Sequence, residues 1–171
     1  MRPKYDNIFV CFGAFHISFR YLSAIGYFLD GSGAANILME SRVLGKGLLN
    51  AFLSGKHYNQ ARRMHVLLAT AMRIKHIDLF LKLEEANDSY GHLVETLKNV
   101  QTSPSPESMN DVEQTDEYKA FMMAYERFCG DTRAGKHGVN AQFWRNYIDM
   151  VEIHMLCEQM MLTSLPSCLG K

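Results

Sequence analysis

The sequence has no net charge: 18 Lys and Arg balance 18 Asp and Glu over 171 residues. A disordered polar chain carries few apolar groups and a large net charge, so a composition 47% hydrophobic and 21% charged points to a folded globular chain. Cysteine is sparse. Cys11, Cys129, Cys157 and Cys168 lie far apart with no CxxC pair, which fits reduced thiols inside a cell better than a disulfide framework or a zinc knuckle. No window approaches the ~20 apolar, uncharged residues that a spanning helix needs. Arg2 and Lys4 precede the apolar stretch IFVCFGAF, yet Asp6, His16 and Arg20 interrupt it and no small-x-small cleavage site follows, so a secretory leader is not expected. The reading is an intracellular chain, nuclear or cytoplasmic, with no membrane segment. At this length a fold buries roughly 70% of its unfolded surface and can build a core without a metal or a disulfide.

Charge is uneven along the chain. Residues 1–76 hold ten Lys/Arg against three Asp/Glu, residues 77–126 hold three against eleven, and residues 127–171 hold five against four. Such a distribution fits contact between oppositely charged regions, a basic face with its own partner, or solvated helix faces.

Hydrophobic periodicity is helical almost everywhere. Asn7 to Phe12 is short, apolar and partly β-branched, and reads as the only strand, of the kind that a larger α/β domain would leave behind. Phe15, Phe19, Leu22, Ile25 and Leu29 then recur at helical spacing until Asp30-Gly31-Ser32-Gly33. A second helix is expected at about 34–44, and a short one over LLNAFL closes at Gly55. The longest pattern, about 59–86, is apolar on more than one face and predicts a central helix covered on several sides. Weaker helical character follows at 92–100. Residues 99–116, with Pro104, Pro106, Ser, Asn and acids, read as a flexible acidic loop. Helices at about 117–129, ending at Gly130, and about 141–164 complete a mainly α bundle. The organisation expected is a basic helical half over 1–98, the loop, and a helical pair over 117–171, making one domain or part of one.

Several motifs fail on inspection. Gly130 to His137 (GDTRAGKH) has the glycine and lysine spacing of a phosphate loop, but His137 stands where Ser or Thr must hold magnesium, and an amphipathic helix replaces the required strand. His154 and Cys157 share a helix face, yet two ligands do not make a metal site, and they read as a partly buried histidine and a core thiol. Asp149, Glu152 and Glu158 are acids among apolar residues, of which Asp149 or Glu152 is the candidate ligand in a metal-dependent nuclease. No GxSxG signature supports serine hydrolysis. No cofactor or small-molecule ligand is implied.

A basic cluster carries more chemistry. Lys46, Lys56, His57, Arg62, Arg63, His65, Arg73 and Lys75 crowd one loop and the first turns of the long helix, where phosphates would meet cations and an exposed helix start, with Tyr58 as a stacking surface. Lys46, Lys56, His57, Arg62, Arg63 and Arg73 are the candidate nucleic-acid contacts.

Three segments in succession carry a resemblance. Gly13, Phe15 and His16 form a G-x-F-H start that leads to Gly31-Ser32-Gly33. Ser54, Gly55, Lys56, Tyr58, Ala61, Arg63 and His65 fit SGK-x-Y-x-x-A-x-R-x-H. Phe143, Trp144, Tyr147, Met150 and Val151 fit FW-x-x-Y-x-x-M-V. This succession, over about residues 8–160, resembles uncharacterised proteins encoded by transposable elements and dispersed in animal genomes. The resemblance implies flanks beyond both ends of this chain, a link by context to RNase H-like transposases, and no catalytic residue that can be placed here. The expectation is a transposable-element-derived fragment without enzymatic activity of its own. Alternatives are a non-specific DNA- or RNA-binding module, a remnant of an RNase H-like metal-dependent nuclease, and a module that docks a helical protein partner.

Overall fold

A computed structural model describes residues 13–82, 90–97 and 106–164. Among them the secondary structure is helical, with no strand: α1 Ala14–Leu29, α2 Ala34–Glu40, α3 Lys46–Ser54, α4 Tyr58–Leu81, α5 over 90–97, α6 Pro106–Gln114, α7 Asp116–Arg133 and α8 Val139–Ser164. The mainly α expectation therefore holds, while the expected strand at 7–12 lies outside the described residues. No described helix is long and apolar enough to cross a membrane. The chain divides into two units, one from 13–68 and 149–164 among the described residues, the other from 69–148. The boundaries fall inside α4 and α8, not at the loop that composition singles out.

In the first unit, Leu22, Ile25 and Leu29 on one side of α1 are fully buried, as their spacing demands, whereas Phe15 is exposed. The stop is chemical as well as steric. Ser32 Oγ donates to the Leu29 carbonyl at 2.6 Å and accepts the Ala34 N–H at 3.2 Å, while Gly31 and Gly33 take positive φ. α2 ends at Glu40, four residues before the expected Leu44, and the Val43 and Leu44 N–H groups close back on the Leu38 carbonyl. α1 crosses α3 at Gly26, where an added Cβ would sit 1.9 Å from the Leu53 carbonyl oxygen. Ser23 Oγ donates to the Ser54 carbonyl at 2.9 Å, one turn away. These two contacts set α1 and α3 antiparallel: Ser23 faces Ser54, and residues later in α1 face residues earlier in α3.

In the second unit, Phe80, Leu93, Val112, Phe121, Tyr125, Phe128 and Cys129 form the core. Phe80 lies among the rings of Tyr90, Phe121, Tyr125 and Phe128, with centroids 5.3–6.3 Å away. Within the expected loop at 99–116, residues 106–114 instead form α6. Proline fits a first helical position, because its missing N–H would be unpaired there anyway, and buried Val112 anchors the helix in the core. Thr115 then accepts the Tyr118 N–H at 3.2 Å and starts α7, whose first turn holds Asp116 and Glu117. The same composition that suggests a loop is also that of two helix starts. α7 likewise runs through Gly130 to Arg133. It ends in a Schellman closure, Lys136 N–H to the Asp131 carbonyl and Gly135 N–H to the Thr132 carbonyl, with Gly135 at φ 81.

Candidate functional site

Two polar arrangements in the first unit invite a functional reading. One is buried. Ser18 of α1, Tyr58 and Arg62 of α4, and His154 and Glu158 of α8 form a continuous chain: Ser18 Oγ lies 2.6 Å from the Tyr58 hydroxyl and 3.0 Å from His154 Nε2. The Tyr58 hydroxyl and Arg62 Nε each donate to one Glu158 carboxylate oxygen. The Tyr21 ring stacks on His154 at 6.0 Å.

Serine, histidine and glutamate together suggest hydrolysis, so the proton order matters. Burial opposes the ionisation of Glu158, but the bonds from Tyr58 and Arg62 outweigh it and hold its carboxyl below the usual range, so it is ionised at neutral pH. Tyr58 spends its one proton on Glu158. Ser18 must therefore donate to the Tyr58 oxygen and accept from His154 Nε2–H. A general base needs the reverse, an Nε2 lone pair that takes the serine proton. His154 Nδ1, moreover, is 4.0 Å from Glu158 and not hydrogen-bonded to it. Burial pushes the His154 pKa down against the pull of Glu158, keeping the ring neutral. The arrangement is a polar clamp that ties α1, α4 and α8 together.

The other arrangement is open. A groove of about 750 Å³ runs between α1 and α3. Ser23, Gly26, Tyr27 and Asp30 recur at helical spacing along one wall, Gly47, Asn50, Ala51 and Ser54 along the other, and Lys56 and His57 come from the α3–α4 turn. The antiparallel register places Lys56 and His57 at the Ser23–Ser54 end and Tyr27 and Asp30 toward Asn50 and Gly47. Tyr27 is 81% exposed. Gly55, at φ 70, brings the turn against Ser23, where a Cβ would lie 2.7 Å from the serine Oγ. His57 also has positive φ, 57°, and its carbonyl accepts the Gln60 and Ala61 N–H groups that begin α4.

The candidate basic residues are only partly gathered. Lys56 and His57 are exposed in the groove, and Arg63 is exposed one turn into α4, lining a smaller apolar recess with Leu44, Leu48 and Met64. Arg62 is committed to Glu158, a partner 96 residues away that no local pattern signals. Arg73 is exposed but belongs to the other unit, and the Lys46 side chain lies outside the described residues. Tyr58, read as a stacking surface, is bonded into the clamp. His65 is buried against the Phe52 ring, 4.2 Å between centroids, and burial pushes its pKa down to about 4, so it brings no charge at neutral pH.

Among the described residues no three His, Cys, Asp or Glu side chains converge as a metal site would need, and Cys157 is exposed, not a core thiol. Sequence reasoning missed Tyr27, Asp30 and Asn50. Their spacing on facing helices was visible; which helices face each other was not.

Geometry and fold thus define an all-α domain with a partly buried polar clamp and an open polar groove lined by Lys56, His57 and Asp30. By its sequence the chain belongs to the domain-of-unknown-function family DUF8702, whose profile matches residues 2–160. No curated protein and no solved structure matches it.

Proposed function

We propose that this chain is a non-enzymatic helical module, derived from a transposable-element-encoded protein, that binds nucleic-acid backbone through Lys56, His57 and Arg63. One observation carries the reading: residues 41–77 contain seven Lys/Arg and not one Asp or Glu. The exposed members of that stretch at the α3–α4 turn offer phosphates cations without a nearby competing carboxylate from the same segment. The proton order of the Ser18–His154–Glu158 cluster supports a structural role for the most catalyst-like residues of the chain. The resemblance to transposable-element proteins supports nucleic acid as the partner.

The test is binding of a labelled DNA duplex as a function of salt. With two or three phosphates neutralised, log K is expected to fall against log salt with a slope of about −2 to −3. Reversing Lys56 and Arg63 to Glu should shrink that slope by about 2 and weaken binding to all sequences alike. No binding at low ionic strength removes the proposal.

A further inference from the structure

The groove between α1 and α3 has more chemistry than a phosphate contact requires. Its two ends differ: Lys56 and His57 at one, Tyr27 with Asp30 and Asn50 at the other. From Ser23 to Tyr27 or Asp30 is four to seven residues of helix, ~6–10 Å at 1.5 Å per residue. That interval separates the turn bearing Lys56 from an exposed aromatic face, and the exposure is unusual, since most large rings among the described residues are packed. Tyr27 is 81% exposed although it lines the groove, and among the described residues no ring is stacked on it. Asp30 and Asn50 add an acceptor and an amide beside that face. The volume, about 750 Å³, is in the range of sites that hold a drug-sized ligand.

We infer that this groove is a single-stranded nucleic-acid site that takes one nucleotide, its phosphate against Lys56 and His57 and its base on Tyr27. The inference rests on the nucleic-acid reading above and specifies its substrate. A duplex keeps its bases stacked on one another and offers the groove only phosphates. An unpaired base has a free face, and stacking on an aromatic side chain is the general means by which proteins hold single strands without reading sequence. The Asp30 carboxylate would repel a phosphate, so the polarity follows: phosphate at the Lys56 end, with Asp30 accepting from an exocyclic amine or a sugar hydroxyl.

The experiment compares a 5′-labelled oligo(dT), an oligo(U) and a DNA duplex of equal length on the full chain, with Tyr27→Ala and Tyr27→Phe, at one low salt concentration. Tyr27→Ala is expected to weaken single-strand binding about tenfold, as loss of one stacked base does. Duplex binding should stay unchanged and Tyr27→Phe should restore the single-strand affinity. Far-ultraviolet circular dichroism checks that the helices persist, which the exposure of Tyr27 leads one to expect. Tighter binding of oligo(U) than of an oligo(dU) control, which lacks only the 2′-hydroxyl, assigns Asp30 or Asn50 to that hydroxyl; equal affinity assigns the site to phosphate and base alone. Either supports the site. Binding of all three probes with no effect of Tyr27→Ala, or an equal loss on the duplex, overturns the groove assignment and leaves the backbone reading standing. Binding of none overturns both.

Discussion

The two units bury polar groups in different settings. In the first, an ionised carboxylate orders the hydrogen bonds of the clamp, and burial lowers the pKa of two neutral histidines, His65 and His154. In the second, His76 is bracketed by neutral hydroxyls, with Tyr125 3.0 Å from Nδ1 and Thr132 3.2 Å from Nε2. Thr132 gives its proton to the Phe128 carbonyl, so the His76 Nε2–H donates to it. Acid should act first on the first unit, where the neutral His65 and His154 and the ionised Glu158 are in charge states that acid reverses, whereas the second unit surrounds His76 with rings and hydroxyls and buries the Arg145 guanidinium.

The largest effect expected is on the second unit. Phe80→Ala removes the ring around which Tyr90, Phe121, Tyr125 and Phe128 are arranged and should cost about 3–5 kcal/mol. Trp144, the single tryptophan, lies in the same unit and gives a fluorescence signal for it during urea unfolding. Amide exchange in α1 and α3 reports the other unit. If exchange there rises as much as in α7, the two units unfold as one and their separation has no energetic meaning.

Acid is the next test and separates the units by chemistry. His65 has a folded pKa of about 4 against 6.5 when unfolded, so the unfolded chain binds more protons in that window and stability rises with pH. The contribution, about 3 kcal/mol, is fully present above pH 6.5 and is lost as pH falls toward 4. His154 is shifted in the same direction and adds to it, and Glu158, also lowered, adds a further loss below its ordinary value. Amide protection factors, which correct for the slower intrinsic exchange in acid, should therefore fall in α1 and α3 before α7 as pH drops across this range. His65→Leu should flatten the response, and an unchanged pH profile in that variant would falsify the assignment to His65.

How much of this was legible in the sequence varies with the range of the interaction. Helix content, the α1 register through Leu22, Ile25 and Leu29, and the glycine-rich stop after Leu29 are local consequences of spacing, and were readable. α6 was misread because Pro and acidic residues have two local meanings, and only the burial of Val112 decides between them. The basic segment was readable as composition, but its use was not: Arg62 points to Glu158 across 96 residues, and Ser18 to His154 across 136. A helical chain hides such pairs, because its periodicity fixes which face is inward without fixing what lies opposite.

The smallest expected effect bears on the groove and again divides the units. Among the described residues, the non-glycine residues with positive φ are Arg42 and His57, both in the first unit; in the second, Gly135 and Gly138 take that conformation. Left-handed backbone costs a residue with a Cβ about 1–2 kcal/mol, and part of that returns as unfolded-state entropy when glycine replaces it. His57→Gly should therefore raise stability in urea by about 0.5 kcal/mol while lowering affinity for oligo(dT), since the imidazole that lines the groove is gone. A residue that costs stability and adds binding is what a functional position looks like. A variant less stable than the parent would mean that His57 is held there by packing, and the strain would then have no bearing on the groove.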